Sequence, residues 1–536
     1  MNEAVIRTED LTPEEITKLF VETDVDREII DSLKSKQPVL LVGSRGTGKT
    51  MLMKMAEKEI SDKFGTDRIL PVFVNLSSCN LHSEANILNV MISRTLISLK
   101  KSLRDHGFII KGQIFRRHDN VELNPIVKKL EEYINSTTQV AEETDDNSDI
   151  IVDNESIRTD VDLLKDFLLE LLEQLDINSI IFLFDEACHV FRPAQQRTFF
   201  NFFRSLREYY IVCKAAVYPG ITSFGSFQAF HDATIKKVER SISSDNYSTK
   251  MREIVKNNFP SIYPTLTQHG DLLDNIIYFS SGNPRLLIKS LNEILIENGK
   301  FQQSRVNTVM KQFYGVTIWS EHTKLSEMYP GHTNMIDWAR TFIEDSVLPT
   351  INKLNDEEDE KRTIYFLISR KSPEVIKQAI KTLEYSGIVS IQTEGVKRRT
   401  DMYDRYELNL GIVVLSEKQP AIAKRGQEIA KNLFVKKAAE YGASSPAYPD
   451  YSNLIDLSQQ IGEDNTIIDS IISQSIDVLD LSDNMKNKLH EHNFNTINDI
   501  LSKDEDALRV IPYVGEVRSR KISNLVYNAI LEYISG

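Results

Sequence analysis

One stretch of this sequence has the residue types and spacing to hold phosphate. Gly43-Ser44-Arg45-Gly46-Thr47-Gly48-Lys49-Thr50 fits G-x-x-x-x-G-K-[ST]. It follows the apolar run Pro38-Val39-Leu40-Leu41-Val42, which reads as a buried strand. A helix should follow it, with Leu52, Met55, Ala56 and Ile60 on one face. In that setting the glycines let backbone amides curl around a phosphate oxygen, and the helix N-terminus adds positive potential. Lys49 is then expected on the β- and γ-phosphates of a nucleotide, and Thr50 on Mg2+. The plainer alternative is a glycine-rich turn, and the strand–loop–helix context argues against it.

A second chemical group should stand at the end of another buried strand. Ile180-Ile181-Phe182-Leu183-Phe184 supplies the strand, and Asp185-Glu186 follows it. Asp185 is the candidate Mg2+ ligand, acting through water. Glu186 is the candidate for polarising an attacking water. An acidic pair after a strand is also an ordinary helix cap. Behind five apolar residues, in a chain with a phosphate loop, the catalytic reading is favoured. Having both carboxylates predicts hydrolysis as well as binding. A third piece is Gly282-Asn283-Pro284-Arg285-Leu286-Leu287. Asn283 suits a helix cap and Pro284 the first turn. Leu287, Leu291, Ile294 and Leu295 form the apolar face, and Arg285 projects from the first turn. Alone, that is a capped helix with a surface arginine.

The elements that must position these groups alternate. Strands are expected at 38–42, 69–76, 180–184 and 210–218, with helices at 161–175 and 194–209 between them. Strand–helix alternation argues for a parallel three-layer α/β sheet. Segment 83–138 is mostly helical in pattern, and 141–149 is an acidic stretch without apolar period. After about residue 245 the pattern turns helical, over 246–315 and again over 335–385, with an acidic turn at 356–360. Two strands at 388–393 and 405–415 flank the basic segment Glu394–Thr400. Gly442–Pro446 reads as linker, and the last 70 or so residues as a compact helical unit.

Composition bounds the rest. The 536 residues exceed one ordinary domain, and 41% hydrophobic with 26% charged residues is a normal globular mix. That excludes a wholly disordered or collagen-like chain. No apolar run approaches a membrane span and the N-terminus lacks signal-peptide character, so a cytoplasmic location is expected. Cys79, Cys188 and Cys213 are too few and too scattered for a disulfide framework or a zinc site. A formal charge of −14 means that nucleic acid would be bound only through a local basic patch.

Taken together, Phe20-Val21-Glu22-Thr23-Asp24, Gly43–Thr50, Asp185-Glu186 and Gly282-Asn283-Pro284-Arg285 resemble the AAA+ ATPases. The branch is the origin-recognition and cell-division-control initiator type, which borders on the STAND signalling ATPases. The resemblance covers roughly residues 15–320. It implies a three-layer P-loop α/β base with an α-helical lid, ATP and Mg2+ as ligands, and Arg285 as a catalytic arginine reaching the γ-phosphate from the lid. A polar residue is expected at the end of strand 211–218; the sequence there is Tyr218-Pro219-Gly220-Ile221-Thr222, and Thr222 is the substitute. Arg204, Arg207 and Arg240 are candidates for an arginine finger acting on a neighbouring subunit.

Beyond the ATPase, Ser372-Pro373-Glu374 opens a helix that ends near Gly387, and the two strands with their basic tip complete a winged-helix outline. Lys397, Arg398 and Arg399 are the candidate DNA-phosphate contacts. The C-terminus, with Ile511-Pro512-Tyr513-Val514-Gly515, resembles a helix-hairpin-helix domain of the kind ending the RNA polymerase alpha subunit. The first hairpin glycine is absent. Residues 451–536 hold seven Lys/Arg and fourteen Asp/Glu, which disfavours strong nonspecific DNA binding. The resulting division is an arm (1–25), an AAA+ base (26–245), a lid (246–320), a winged-helix-like domain (321–425), a linker (426–465) and a helix-hairpin-helix domain (466–536). The expected activity is that of an ATP-hydrolysing molecular switch on or near double-stranded DNA, working as a homo-oligomer or in a protein complex without membrane attachment. The alternative is a STAND-like signalling ATPase, as in antiphage defence, whose C-terminal modules bind protein.

Overall fold

The structure is a computed structural model. It describes residues 4, 8–77, 87–109, 125–143, 154–187, 193–222, 224–295, 301–328, 332–358, 360–417, 422–449, 472–479, 481–503, 505–515, 518–520, 522–523 and 525–526. The chain divides into two compact units. One is Met1–Gly270 with Gly282–Gly299, and the other is Asp271–Ser281 with Lys300–Gly536. Residues read from sequence as a single lid, 246–320, are therefore shared between the two.

The first unit is built on a five-stranded sheet. Its strands are β1 (Val39–Val42), β2 (Ile69–Asn75), β3 (Ser179–Asp185), β4 (Ile211–Val217) and β5 (Thr234–Lys237), in the order β2-β3-β4-β1-β5. All pairings are parallel, with Val42 beside Val217 and Asn75 beside Asp185. A parallel sheet must be covered on both faces, which is why β3 and β4 are apolar almost throughout. Alternation along each strand serves two cores. Val39, Leu41, Ile181, Leu183, Val212 and Ala216 face Ile29, Ile30, Leu33, Leu52 and Ala56. Leu40, Ile180, Phe182, Phe184, Ala215 and Val217 face the other core, with Leu96, Leu168, Phe199 and Phe203.

One buried strand residue is a cation. Lys214 of β4 is fully buried, and its ammonium donates to the carbonyls of Ser32 (3.0 Å), Ser35 (2.8 Å) and Gln37. It ties the C-terminal end of helix Asp24–Lys34 to the sheet, where a positive charge suits the helix dipole. Burial pushes Lys214 down to about 7.

The second unit carries helices and a smaller sheet. Helix Gln303–Gln312 passes through a π-turn at Phe313–Thr317 into Ile318–Thr323. Helix Thr333–Phe342 passes through another at Ile343–Val347 into Leu348–Glu357. The strands are β6 (Tyr365–Ser369), β7 (Val389–Arg398), β8 (Asp401–Leu408) and β9 (Ala439–Tyr441), in the order β7-β8-β6-β9. Helix Glu374–Ser386 connects β6 to β7.

Several expectations are corrected here. β6 interrupts the segment read as helical. Residues 394–398, read as loop, continue β7 through register shifts between Ile391 and Thr393 and between Thr393 and Val396. The strand read over 405–415 stops at Leu408, and Leu410–Ser416 is a helix. Asn409 decides this: its side chain accepts from the amides of Gly411 (2.9 Å) and Ile412 (3.4 Å), capping the helix. Within the segment read as linker, Ile422–Lys431 is helical and β9 pairs with β6, while residues 450–471 lie outside the described residues. The acidic stretch lies outside them beyond Glu143, as do Cys79 and Cys188. Near the C-terminus, helices Asp483–Glu491, Ile497–Leu501 and Glu505–Arg509 enclose Leu489, Phe494, Ile500, Leu508 and Ile511. Among the described residues no helix is long and apolar enough to cross a membrane.

Candidate functional site

The sheet order brings the chemistry together. β3, β4 and β1 are neighbours, so the residues after Asp185, Val217 and Val42 converge at the carboxyl edge of the sheet. That edge is where open parallel sheets bind ligands. Gly43 leaves β1, and helix Lys49–Asp62 begins directly after Gly48, whose φ of 101° only glycine adopts freely. Leu52, Met55, Ala56 and Ile60 are buried as expected, with Met53 beside them.

Lys49 is 6% exposed and donates to the carbonyls of Gly43 (2.6 Å) and Ser44 (3.1 Å). Its ammonium also lies 3.8 Å from the centre of the Tyr218 ring. Burial pushes its pKa well below the usual lysine range, against the pull of Glu186 and Asp185. The Thr50 hydroxyl donates to Asp185 Oδ2 at 2.7 Å. Burial and the neighbouring Glu186 push the Asp185 carboxyl above its usual range, opposed by the Thr50 hydrogen bond and Lys49. These two hard oxygen donors fit Mg2+, which takes few protein ligands and keeps waters and phosphate oxygens for the rest. Glu186 stands at φ 57°, and the Tyr218 hydroxyl donates to both its carboxylate oxygens, at 3.0 and 3.1 Å.

The helix Pro284–Leu295 starts against the phosphate loop. Asn283 Oδ1 accepts from the amides of Arg285 (3.1 Å) and Leu286 (3.2 Å), capping that helix. Its Nδ2 donates to the Arg45 carbonyl at 2.9 Å. A Cβ on Gly46 would lie 2.6 Å from Arg285 Cβ, so only glycine leaves room for the helix there. Arg285, Lys49, Thr50, Glu186 and Tyr218 line one cleft. The same cleft is also lined by the apolar Leu11, Leu19, Phe20, Val21, Ile254 and Ile288.

The three candidate finger arginines separate. Arg240 is an internal strut: it pairs with the buried Asp26 at 2.9 Å and donates to the Thr47 carbonyl at 2.7 Å. Its guanidinium therefore serves its own phosphate loop. Arg204 and Arg207 are exposed and border a small hollow with Pro38 and Cys213, near the amino ends of β1 and β4. Thr222, the expected polar substitute, instead accepts from the Tyr218 amide (3.3 Å) and donates to the Tyr218 carbonyl (2.7 Å). Tyr218 is the residue that enters the site. No spacing rule marks a tyrosine there, so sequence reasoning passed over it. The tie from Asn283 to the loop was equally invisible, because only its capping role has a sequence signature.

A phosphate loop after β1, an acidic pair after β3 and an arginine-bearing helix on the loop, around a parallel 2-3-4-1-5 sheet, settle the architecture. The base is a P-loop AAA+ fold. Residues 4–61 match the family model described as ORC-CDC6-like. No curated protein matches the chain. Among solved structures it is similar to the Aeropyrum pernix ORC1 protein in complex with DNA, at 13% identity and a TM-score of 0.30, covering 77% of this chain and 95% of that one. It is similar to the Aeropyrum pernix ORC2 protein in ADPNP-ADP complexes at 10% identity and a TM-score of 0.32, covering 78% and 92%. AMPPCP-bound DnaA from Aquifex aeolicus is similar at 12% identity and a TM-score of 0.28, covering 70% and 90%.

Outside the AAA+ base, the basic segment of the hairpin does not act as one cluster. Arg398 pairs with Glu440 at 3.3 Å and donates to the Lys436 carbonyl, whereas Lys397 and Arg399 are exposed, Arg399 at the turn with φ 52°. Helix Glu374–Ser386 is largely buried, and Lys377 and Lys381 both pair with its own Glu374. Near the C-terminus Tyr513 has φ 71°, is 79% exposed, and lies with its ring centre 4.2 Å from the Lys488 ammonium.

Proposed function

We propose that the chain is an ATP-binding and ATP-hydrolysing switch that acts on or near DNA. The observation that carries the nucleotide reading is the convergence of Lys49, Thr50, Asp185, Glu186 and Arg285 on one cleft. Lys49 and Arg285 supply positive charge for the β- and γ-phosphates, and the loop amides hold them in place. Thr50 and Asp185 would hold Mg2+, which neutralises phosphate charge when bound. Glu186 is the group that takes the proton of an attacking water. The apolar side chains of the cleft lining would receive the base.

The DNA reading rests on the family match over residues 4–61 and on Lys397 and Arg399 at the hairpin tip. Helix Glu374–Ser386 is too buried to enter a major groove, so DNA would be met by the hairpin, at backbone phosphates. A homo-oligomer or a complex on DNA is the natural setting for such a switch.

The experiment is nucleotide binding and turnover in the wild type and two variants, with and without duplex DNA. Lys49→Ala should lose tight ATP binding. Glu186→Gln should keep ATP bound and slow hydrolysis by about 10²–10⁴-fold. Wild-type affinity in the first variant, or undiminished turnover in the second, would overturn the assignment. Stimulation by a protein and not by DNA would shift the reading to signalling.

A further inference from the structure

We propose that Tyr218 is a positioning residue, which couples the phosphate-binding Lys49 to the water-polarising Glu186 by touching one with its ring face and the other with its hydroxyl. The inference rests on the nucleotide reading of the cleft and assigns a role to a residue outside the motif set.

Topology explains why this position has access to both groups. β4 lies between β1 and β3, so the residue leaving β4 stands between the loop after β1 and the carboxylates after β3. Tyr218 is that residue, and it is 4% exposed. Its ring centre is 3.8 Å from Lys49 Nζ, within cation–π range. At the far end of the same ring, the hydroxyl donates to both Glu186 oxygens, at 3.0 and 3.1 Å. A donor shared by both oxygens fixes the plane of the carboxylate as well as its place, and the bond is strengthened by the acceptor's charge. Glu186 itself stands in the left-handed region, at φ 57°, directly after β3.

The tyrosine is itself held. The chain turns back through Pro219 and Gly220, at φ 79°, so that Thr222 Oγ1 bonds both the amide and the carbonyl of Tyr218. One rigid ring therefore reports the position of the lysine to the carboxylate. The ring face bears on nucleotide binding, and the hydroxyl bears on turnover.

The two functions separate by substitution. Tyr218→Phe keeps the face and removes the hydroxyl; Tyr218→Ala removes both. We expect Tyr218→Phe to bind fluorescent ATP within about threefold of wild type and to lower kcat about ten- to a hundredfold, as misplacement of a catalytic group does. Tyr218→Ala should also weaken ATP binding, by roughly three- to thirtyfold. A purely structural residue would not give this split between binding and kcat. The double variant Tyr218→Phe/Glu186→Gln should turn over no more slowly than Glu186→Gln alone, because on this proposal the hydroxyl acts through that carboxylate.

Normal kcat in a folded Tyr218→Phe protein, or additive losses in the double variant, would overturn the proposal while leaving the ATPase reading intact. A wild-type protein that neither binds nor hydrolyses ATP would remove both, and the two failures are distinguished by the wild-type assay alone.

Discussion

The pair Asp26–Arg240 shows how a residue's type misleads when its partner is distant in sequence. Arg240 has the position of a cation that could serve another subunit, but Asp26, 2% exposed, is its counter-ion. Removing one member of a buried pair leaves the other charged and unpaired, at about 3–5 kcal/mol. Arg240→Ala should therefore lower stability by that order and loosen the loop carbonyl of Thr47. In thermal unfolding, Asp26→Asn/Arg240→Ala should recover part of the loss, since the orphaned charge is gone. Mixing Arg240→Ala with Lys49→Ala should restore no turnover. Restoration in that mixture would show that the arginine acts across subunits after all.

Among elements, the second unit contains a buried histidine whose titration can be read as stability. His322 is fully buried in helix Ile318–Thr323, with Nδ1 2.9 Å from Ser386 Oγ and Nε2 3.3 Å from the Ile336 carbonyl. Burial pushes it down to about 4, against the hydrogen bond it donates to the Ile336 carbonyl. An unfolded histidine titrates near 6.5, so the unfolded chain takes up the proton first between those values. The stability that the neutral ring contributes is complete above about pH 6.5 and is lost as pH falls toward 4, by up to about 3 kcal/mol. In calorimetry the second unit's melting temperature should fall over that window, and His322→Gln should flatten the dependence relative to wild type. An unchanged slope in the variant would assign the pH response to other groups.

How much of these elements the sequence discloses follows the same division between local and distant causes. β1, β3 and the helix after Gly48 are legible, because apolar runs and glycine spacing carry local signals. Tyr365–Ser369 is also an apolar run, but it sits between helical patterns and takes its strand form from pairing with β8, distant in sequence. Leu410-Gly411-Ile412-Val413-Val414 favours a strand by composition, and a single cap at Asn409 turns it into a helix. Arg398 looked equivalent to its neighbours because Glu440, its partner, arrives on β9. At the site itself, the motif residues were readable and their connectors, Tyr218 and the bond from Asn283 to the loop, were not.

Taken as a whole molecule, the protein has a net charge of −14, so any affinity for DNA comes from a few local cations and falls steeply with salt. Lys397 and Arg399 are the exposed cations of the hairpin, while Arg398 is engaged by Glu440. Replacing Lys397 and Arg399 with alanine should lower the log–log salt slope of duplex binding by about 0.9 for each phosphate that is no longer neutralised. Arg398→Ala should change it less and cost stability at β9 instead. Nucleotide affinity should be unaffected, because the hairpin and the phosphate loop belong to different units. Fluorescence anisotropy at several salt concentrations reads the slope, and no binding at low salt in either nucleotide state would exclude a DNA role for this hairpin.

Asn283 caps its helix with one end of its amide and grips the Arg45 carbonyl with the other. The helix Pro284–Leu295 and the loop after β1 thus share a latch. The helix carrying Arg285 cannot swing clear of the loop without giving up a bond made by its own cap, so on the proposed nucleotide reading release of ADP should depend on how firmly that first turn is held. Asn283→Gly, which keeps the helix start tolerable and removes the grip, should shorten the dwell of fluorescent ADP severalfold in a chase experiment while leaving the speed of ATP capture nearly unchanged.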